Sequence, residues 1–129
     1  VTHRWSMRQM WGHVTVVTGP VGAGKSTWIR EHAAADDIVI DFDLICRALG
    51  SPMAERDPVT GKWEHPSQQQ FVAYRVWLTA RMTACDFQRH PVWLIQSQPS
   101  SKDLAMYQAR RATVLVIDPD THQPKEAAR

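Results

Sequence analysis

The sequence predicts an α/β domain built on a parallel sheet, and three observations carry that reading. Four short apolar runs recur along the 129 residues, at 14–18, 38–41, 92–96 and 113–117. Helical patterns lie between successive runs. A glycine-rich loop, Gly19-Pro20-Val21-Gly22-Ala23-Gly24-Lys25-Ser26-Thr27, joins the first run to the first helix. Strands that alternate with helices pair in parallel, with right-handed crossovers and helices on both faces. The expected sheet is four-stranded and wholly parallel. Its first strand should be central, because the loop after it must lie mid-sheet.

Val14-Thr15-Val16-Val17-Thr18 is β-branched throughout, which suits a pleated, buried strand. Residues 28–35 hold no Gly or Pro and read as a helix. Asp36-Asp37 breaks the pattern. Ile38-Val39-Ile40 reads as a short buried strand ending at Asp41-Phe42-Asp43. Residues 44–49 form a short helix, stopped by Gly50. The stretch 51–66 holds Pro52, Pro58, Gly61 and Pro66, and reads as a long loop of a kind that is often functional. Ser67 opens the longest helical pattern, to about residue 89. Phe71, Tyr74, Leu78, Met82 and Cys85 share one helical face there and read as core. His90-Pro91 ends it. Val92-Trp93-Leu94-Ile95 is the third strand. Ser100 and Asp103 have capping-box spacing and open a helix to about residue 111. Thr113-Val114-Leu115-Val116-Ile117 is the fourth strand, followed by Asp118-Pro119.

The length suits one domain with a real core. A formal charge of +2 does not argue for nucleic acid by itself, though it is compatible with phosphate-bearing ligands. Cys46 and Cys85 have no metal-ligand spacing and read as reduced thiols of a cytoplasmic protein. The six histidines are scattered, which argues against a structural metal. No run approaches the ~20 apolar residues of a membrane span, so no membrane partner is expected. Residues 1–12 read as an N-terminal extension. It carries Arg4 and Arg8 but no apolar core, unlike a signal peptide.

The glycine loop matches G-x-x-x-x-G-K-[ST], the phosphate-binding loop. Gly19, Gly22 and Gly24 let the backbone turn tightly and aim its N–H groups inward. The next helix adds its unpaired N–H groups and its dipole. Lys25 is expected to reach the β- and γ-phosphates, and the Ser26 hydroxyl to ligate Mg²⁺. Thr27 falls near the α-phosphate, while Pro20, Val21 and Ala23 complete the cradle. ATP and Mg²⁺ are the expected cofactors. A ligand-free turn is the plain alternative, against which the strand and helix flanks weigh.

Asp41 and Asp43 flank the end of the second strand. Asp43 has two compatible readings: a general base for an acceptor hydroxyl, or the N-cap of the next helix. Asp41 reads as a strand-end acid or a support for the metal. Arg47, four residues beyond Asp43, pairs with it or holds a substrate phosphate. The third strand ends in Gln96-Ser97 without an acid, which argues against a motor ATPase; both residues should line the site. Arg56, Lys62, Trp63 and His65 combine cations with an aromatic, although a solvated loop is the simpler account.

Residues 14–50, VTVVTGPVGAGKSTWIREHAAADDIVIDFDLICRALG, resemble the small phage and bacterial P-loop kinases of the polynucleotide kinase type. VWLIQSQPS and VLVIDPD resemble that family's third and fourth strands. The resemblance implies a nucleotide-kinase-like P-loop NTPase fold in three layers. It implies transfer of the γ-phosphate of ATP to a hydroxyl, of a nucleic-acid 5′ end or a nucleoside. Asp43 matches the family's general base and Arg47 its substrate-phosphate contact. Such kinases continue past the Asp-Pro with an Arg-bearing lid and a last helix. Here residues 119–129 make a short or truncated lid region, with Arg129 and Lys125 as its cations. The alternatives are a nucleoside monophosphate kinase, with Arg47, Arg56 and Arg75 as clamps, or a nucleotide-binding module of little activity.

Overall fold

Val14–Thr18 forms β1, and all five of its residues are buried. Side chains on a strand alternate between faces, so a strand buried at every position needs cover on both. The computed structural model, which describes residues 13–20, 22–50, 56–61, 65–86 and 90–126, supplies that cover. Val14 and Val16 pack with Trp77, Leu94 and Tyr107 on one side. Val17 packs with Trp28, Ile29 and Leu115 on the other.

The chain then runs α1 (Lys25–His32), β2 (Ile38–Ile40), α2 (Phe42–Leu49), α3 (Ser67–Asp86), β3 (Val92–Ile95), α4 (Ser101–Ala109), β4 (Thr113–Ile117) and β5 (Pro124–Glu126). The sheet order is β2-β3-β1-β4-β5. Strands β1 to β4 pair in parallel, with Val16 opposite both Leu94 and Val114. β1 is therefore central. Its neighbours β3 and β4 lead away on opposite sides, so its carboxyl end opens at a topological switch point, where open α/β sheets bind ligands.

Several expectations are corrected. The sheet has five strands and is mixed, because β5 pairs antiparallel to β4. Pro124 opens β5 at the sheet's rim, a place where a missing N–H costs nothing. β5 lies within residues 119–129 and is an edge strand. β2 is the opposite edge, and Ile38 and Val39 are exposed instead of buried. α1 begins at Lys25, inside the loop motif. The long helix is rotated from its expected stripe: Ala73, Trp77, Ala84 and Cys85 are buried, while Phe71 and Tyr74 are 66% and 51% exposed. Residues 1–12, Val21 and Arg129, each singled out from the sequence, lie outside the described residues, as do Lys62 and Trp63. Among the described residues no helix is long and apolar enough to cross a membrane.

Candidate functional site

The 19–27 loop leaves the carboxyl end of β1 and turns into α1. Gly24 is the N-cap of α1, with φ 95°, and makes no side-chain cap hydrogen bond. The first-turn amides of α1 therefore have no intrahelical acceptor. A Cβ on Gly24 would stand 3.3 Å from His122 Nδ1, and one on Gly19 would stand 2.9 Å from the Ile117 carbonyl oxygen. Both positions combine a positive φ with a close neighbour, so glycine is required twice over.

Lys25 is buried, 8% exposed. Its Nζ donates to the carbonyl oxygens of Gly19 and Pro20, at 2.8 Å each. Pro20 O also accepts from Ala23 N at 3.1 Å, which closes the loop on itself. Burial lowers the Lys25 pKa, against the attraction of Asp41 and Asp43. Two of the ammonium's three donors are engaged on the loop, and the third is available to a ligand.

Asp41 is the N-cap of α2: its Oδ1 accepts from Asp43 N at 3.0 Å. The cap is thus two residues earlier than expected at Asp43, because α2 starts at Phe42. Asp41 Oδ2 accepts from Ser26 Oγ at 3.4 Å. Burial raises the Asp41 pKa, and the nearby Asp43 charge adds to it, while the bonds from Asp43 N, Leu44 N and Ser26 hold it back. Ser26 and Asp41 present two hard oxygen donors side by side, a pairing that suits Mg²⁺. No cluster of three or more His, Cys, Asp or Glu capable of holding a metal exists among the described residues. Mg²⁺ held by Ser26 and Asp41 would take its remaining oxygens from water and substrate phosphates, its usual habit.

Asp43, freed from capping, is exposed. Its Oδ1 lies 3.6 Å from Nε2 of His65, whose side chain is only 9% exposed. His65 Nε2 has no hydrogen-bond partner and faces this carboxylate. His65 thus stands beside Asp43, at the end of a stretch for which the sequence offers either a phosphate-holding group or a solvated loop.

One cavity of about 640 Å³ has Gly24, Lys25, Ser26 and Thr27 on one wall and Asp41 and Asp43 beside them. That volume lies within the range of small-molecule sites. Ile95, Gln96 and Ser97 close it at the end of β3, and Tyr74 and Trp77 of α3 form the remaining wall. Tyr74, expected in the core, instead lines this wall half exposed. Gln96 bonds through both polar atoms: its Nε2 donates to Asp103 Oδ2 at 2.8 Å, and its Oε1 accepts from the Tyr107 hydroxyl. Arg81 Nη1 ties Asp103 from α3 at 3.1 Å. Burial pushes the Tyr107 phenol up to about 12.

Arg47 is exposed on α2 and does not line the cavity. Asp118 also lies outside it; its carboxylate accepts from the backbone N–H groups of Asp120 and Thr121 and shapes the β4–β5 turn. That turn delivers His122, with φ 57°, onto the glycine loop: His122 Nδ1 lies 2.8 Å from Ala23 O. No sequence motif pointed to His122.

No family model, curated protein or solved structure matches this chain.

Proposed function

We propose that this chain is a phosphotransferase. It binds ATP with Mg²⁺ on the 19–27 loop and passes the γ-phosphoryl group to a hydroxyl of a nucleic-acid 5′ end or a nucleoside. One observation carries the reading. A buried lysine, an oxygen pair suited to Mg²⁺ and an exposed carboxylate line the same cavity at a helix N-terminus.

The roles follow from that arrangement. The amides of the first turn of α1 bind phosphate oxygens. Lys25 turns its remaining donor to the β- and γ-phosphates and offsets the charge on the group in transfer. Bound Mg²⁺, held by Ser26 and Asp41, would neutralise phosphate charge. Asp43 accepts the acceptor hydroxyl's proton. The acceptor oxygen bonds to the γ-phosphorus as the bond to the β–γ bridging oxygen breaks, and ADP leaves.

A second reading, a nucleotide-binding module with little turnover, is favoured by Gln96. Its side chain is held by Asp103 and Tyr107, and no acid stands at the end of β3. The nucleoside monophosphate kinase reading lacks support, because no arginine among the described residues lines the cavity. Equilibrium binding of ATP, with and without Mg²⁺, tests the shared premise. Binding in the wild type that is lost in Lys25→Ala supports it, and equal binding in both refutes it.

A further inference from the structure

We infer that the exposed ring of Tyr74 is a stacking platform for the nucleobase of the phosphoryl acceptor. The inference rests on the proposed phosphotransfer, and it adds where the acceptor lies and what chemistry it carries. Tyr74 and Trp77 stand one turn apart on α3, with ring centroids 6.2 Å apart and planes inclined by 13°. Trp77 is 4% exposed, and the Arg81 guanidinium lies over its ring, 5.0 Å from the centroid. Tyr74 is 51% exposed, yet it lines the same cavity as Lys25 and Asp43. A large aromatic ring left half in water on the wall of this cavity is open to a ligand there. Its inner side is braced by a ring that cannot move aside. A planar base stacks on such a face whatever its sequence identity.

The placement separates acceptor base from donor base. The oxygens of Ser26 and Asp41, which suit the metal at the γ-phosphate, lie on the β2 side of the loop, as do Asp43 and Tyr74. The opposite side of the loop is closed by the β4–β5 turn through His122. A triphosphate whose γ end points to Ser26 and Asp41 leaves its own base away from Tyr74. A hydroxyl beside Asp43 belongs to a molecule whose base reaches α3. Phe71 lies three residues before Tyr74, hence beside it on the helix surface, and is 66% exposed outside the cavity. A second base of a strand would meet Phe71, whereas a free nucleoside would not.

The test is calorimetric titration of the full chain with thymidine and with a 5′-hydroxyl oligodeoxynucleotide. Each is run with the donor site filled by a non-hydrolysable ATP analogue and Mg²⁺, and again without them. Melting curves of each variant check folding, which substitution of half-exposed Tyr74 should leave intact. Tyr74→Ala is expected to weaken base binding roughly 5–150-fold, the worth of one stacked base, and Tyr74→Phe to stay close to wild type. Affinity for the ATP analogue should not change. Loss of oligonucleotide affinity alone in Phe71→Ala identifies a strand end as the source. No change there, with Tyr74→Ala weakened, identifies a free nucleoside. Equal affinity in wild type and Tyr74→Ala overturns the inference, as does absence of base binding in the wild type. A matching loss of ATP-analogue affinity in Tyr74→Ala also overturns it, by assigning the ring to the donor. If the analogue fails to bind the wild type, the phosphotransfer reading falls, and the titrations without it still decide the platform.

Discussion

His122 Nδ1 lies 2.8 Å from the carbonyl oxygen of Ala23, at the closed side of the glycine loop. A carbonyl can only accept, so Nδ1 carries the proton. The contact ties the β4–β5 turn to the loop. His122→Ala removes one hydrogen bond, at about 0.5–1.5 kcal/mol. The loop loses its brace, and affinity for ATP should fall by roughly 2–12-fold in titration, with a small drop in melting temperature. Unchanged affinity would mean that the loop holds its shape without the turn.

Asp41 serves α2 as a cap and Ser26 as a partner, and burial opposes its charge. Asn caps about as well and carries no charge. The sign follows from the raised pKa. Below the ordinary carboxylate pKa, near 3.9, Asp41 is protonated folded or unfolded and costs nothing; as pH rises through its raised folded pKa, the buried charge becomes a penalty. Asp41→Asn should therefore equal or exceed wild-type stability at neutral pH, with the advantage shrinking in acid. Mg²⁺-dependent enhancement of ATP binding should be lost. Wild-type Mg²⁺ dependence should likewise fade on acidification, at a higher pH than an ordinary carboxylate would show. Denaturation and ATP titrations across pH check both.

Asp43 does not cap α2, so its substitution separates chemistry from folding. Asp43→Asn should leave stability and ATP affinity close to wild type. Phosphoryl transfer should fall by about 10²–10⁴-fold, the usual worth of a positioned base, or less if the loose transition state asks little of it. A full transfer rate in Asp43→Asn would remove it from the mechanism.

Asp103 carries three duties: the capping box with Ser100, the ion pair with Arg81, and the bond that fixes Gln96 at the cavity floor. Removing it takes the ion pair from a mostly buried guanidinium and leaves it the 3.5 Å bond to the Tyr107 hydroxyl. Asp103→Ala should cost about 3–5 kcal/mol, the scale of breaking a buried pair, read by chemical denaturation. A loss under about 1 kcal/mol would show the network to be solvent-screened, as surface pairs are.

Much of the fold was legible in the residues, because β-branched runs such as 14–18 and 113–117 admit few other structures. The central place of β1 followed from its glycine loop. β5 was not legible: Pro-Lys-Glu has no apolar pattern, and its pairing comes from the turn that Asp118 builds. The rotation of α3 was hidden because Phe71, Tyr74 and Leu78 fit a helical stripe as well as Ala73, Trp77 and Ala84 do. Periodicity alone cannot rank two stripes on one helix; the sheet chose the one with Trp77 and small alanines that allow close packing. In the site, the motif made residues 19–27 legible by spacing. His122 was not, since it arrives from a distant turn and has meaning only through Ala23; His65 was legible as one of a group of cations, but not as the neighbour of Asp43.

The central claim is tested most directly by following the γ-phosphate. Purified protein is incubated with γ-labelled ATP, Mg²⁺ and acceptors: 5′-hydroxyl oligonucleotides, nucleosides and nucleoside monophosphates. Labelled product is resolved from ATP and inorganic phosphate. The account predicts label on a 5′-hydroxyl acceptor with the wild type, and none with folded Lys25→Ala. Label that never leaves ATP, or transfer that persists undiminished in Lys25→Ala, would contradict it.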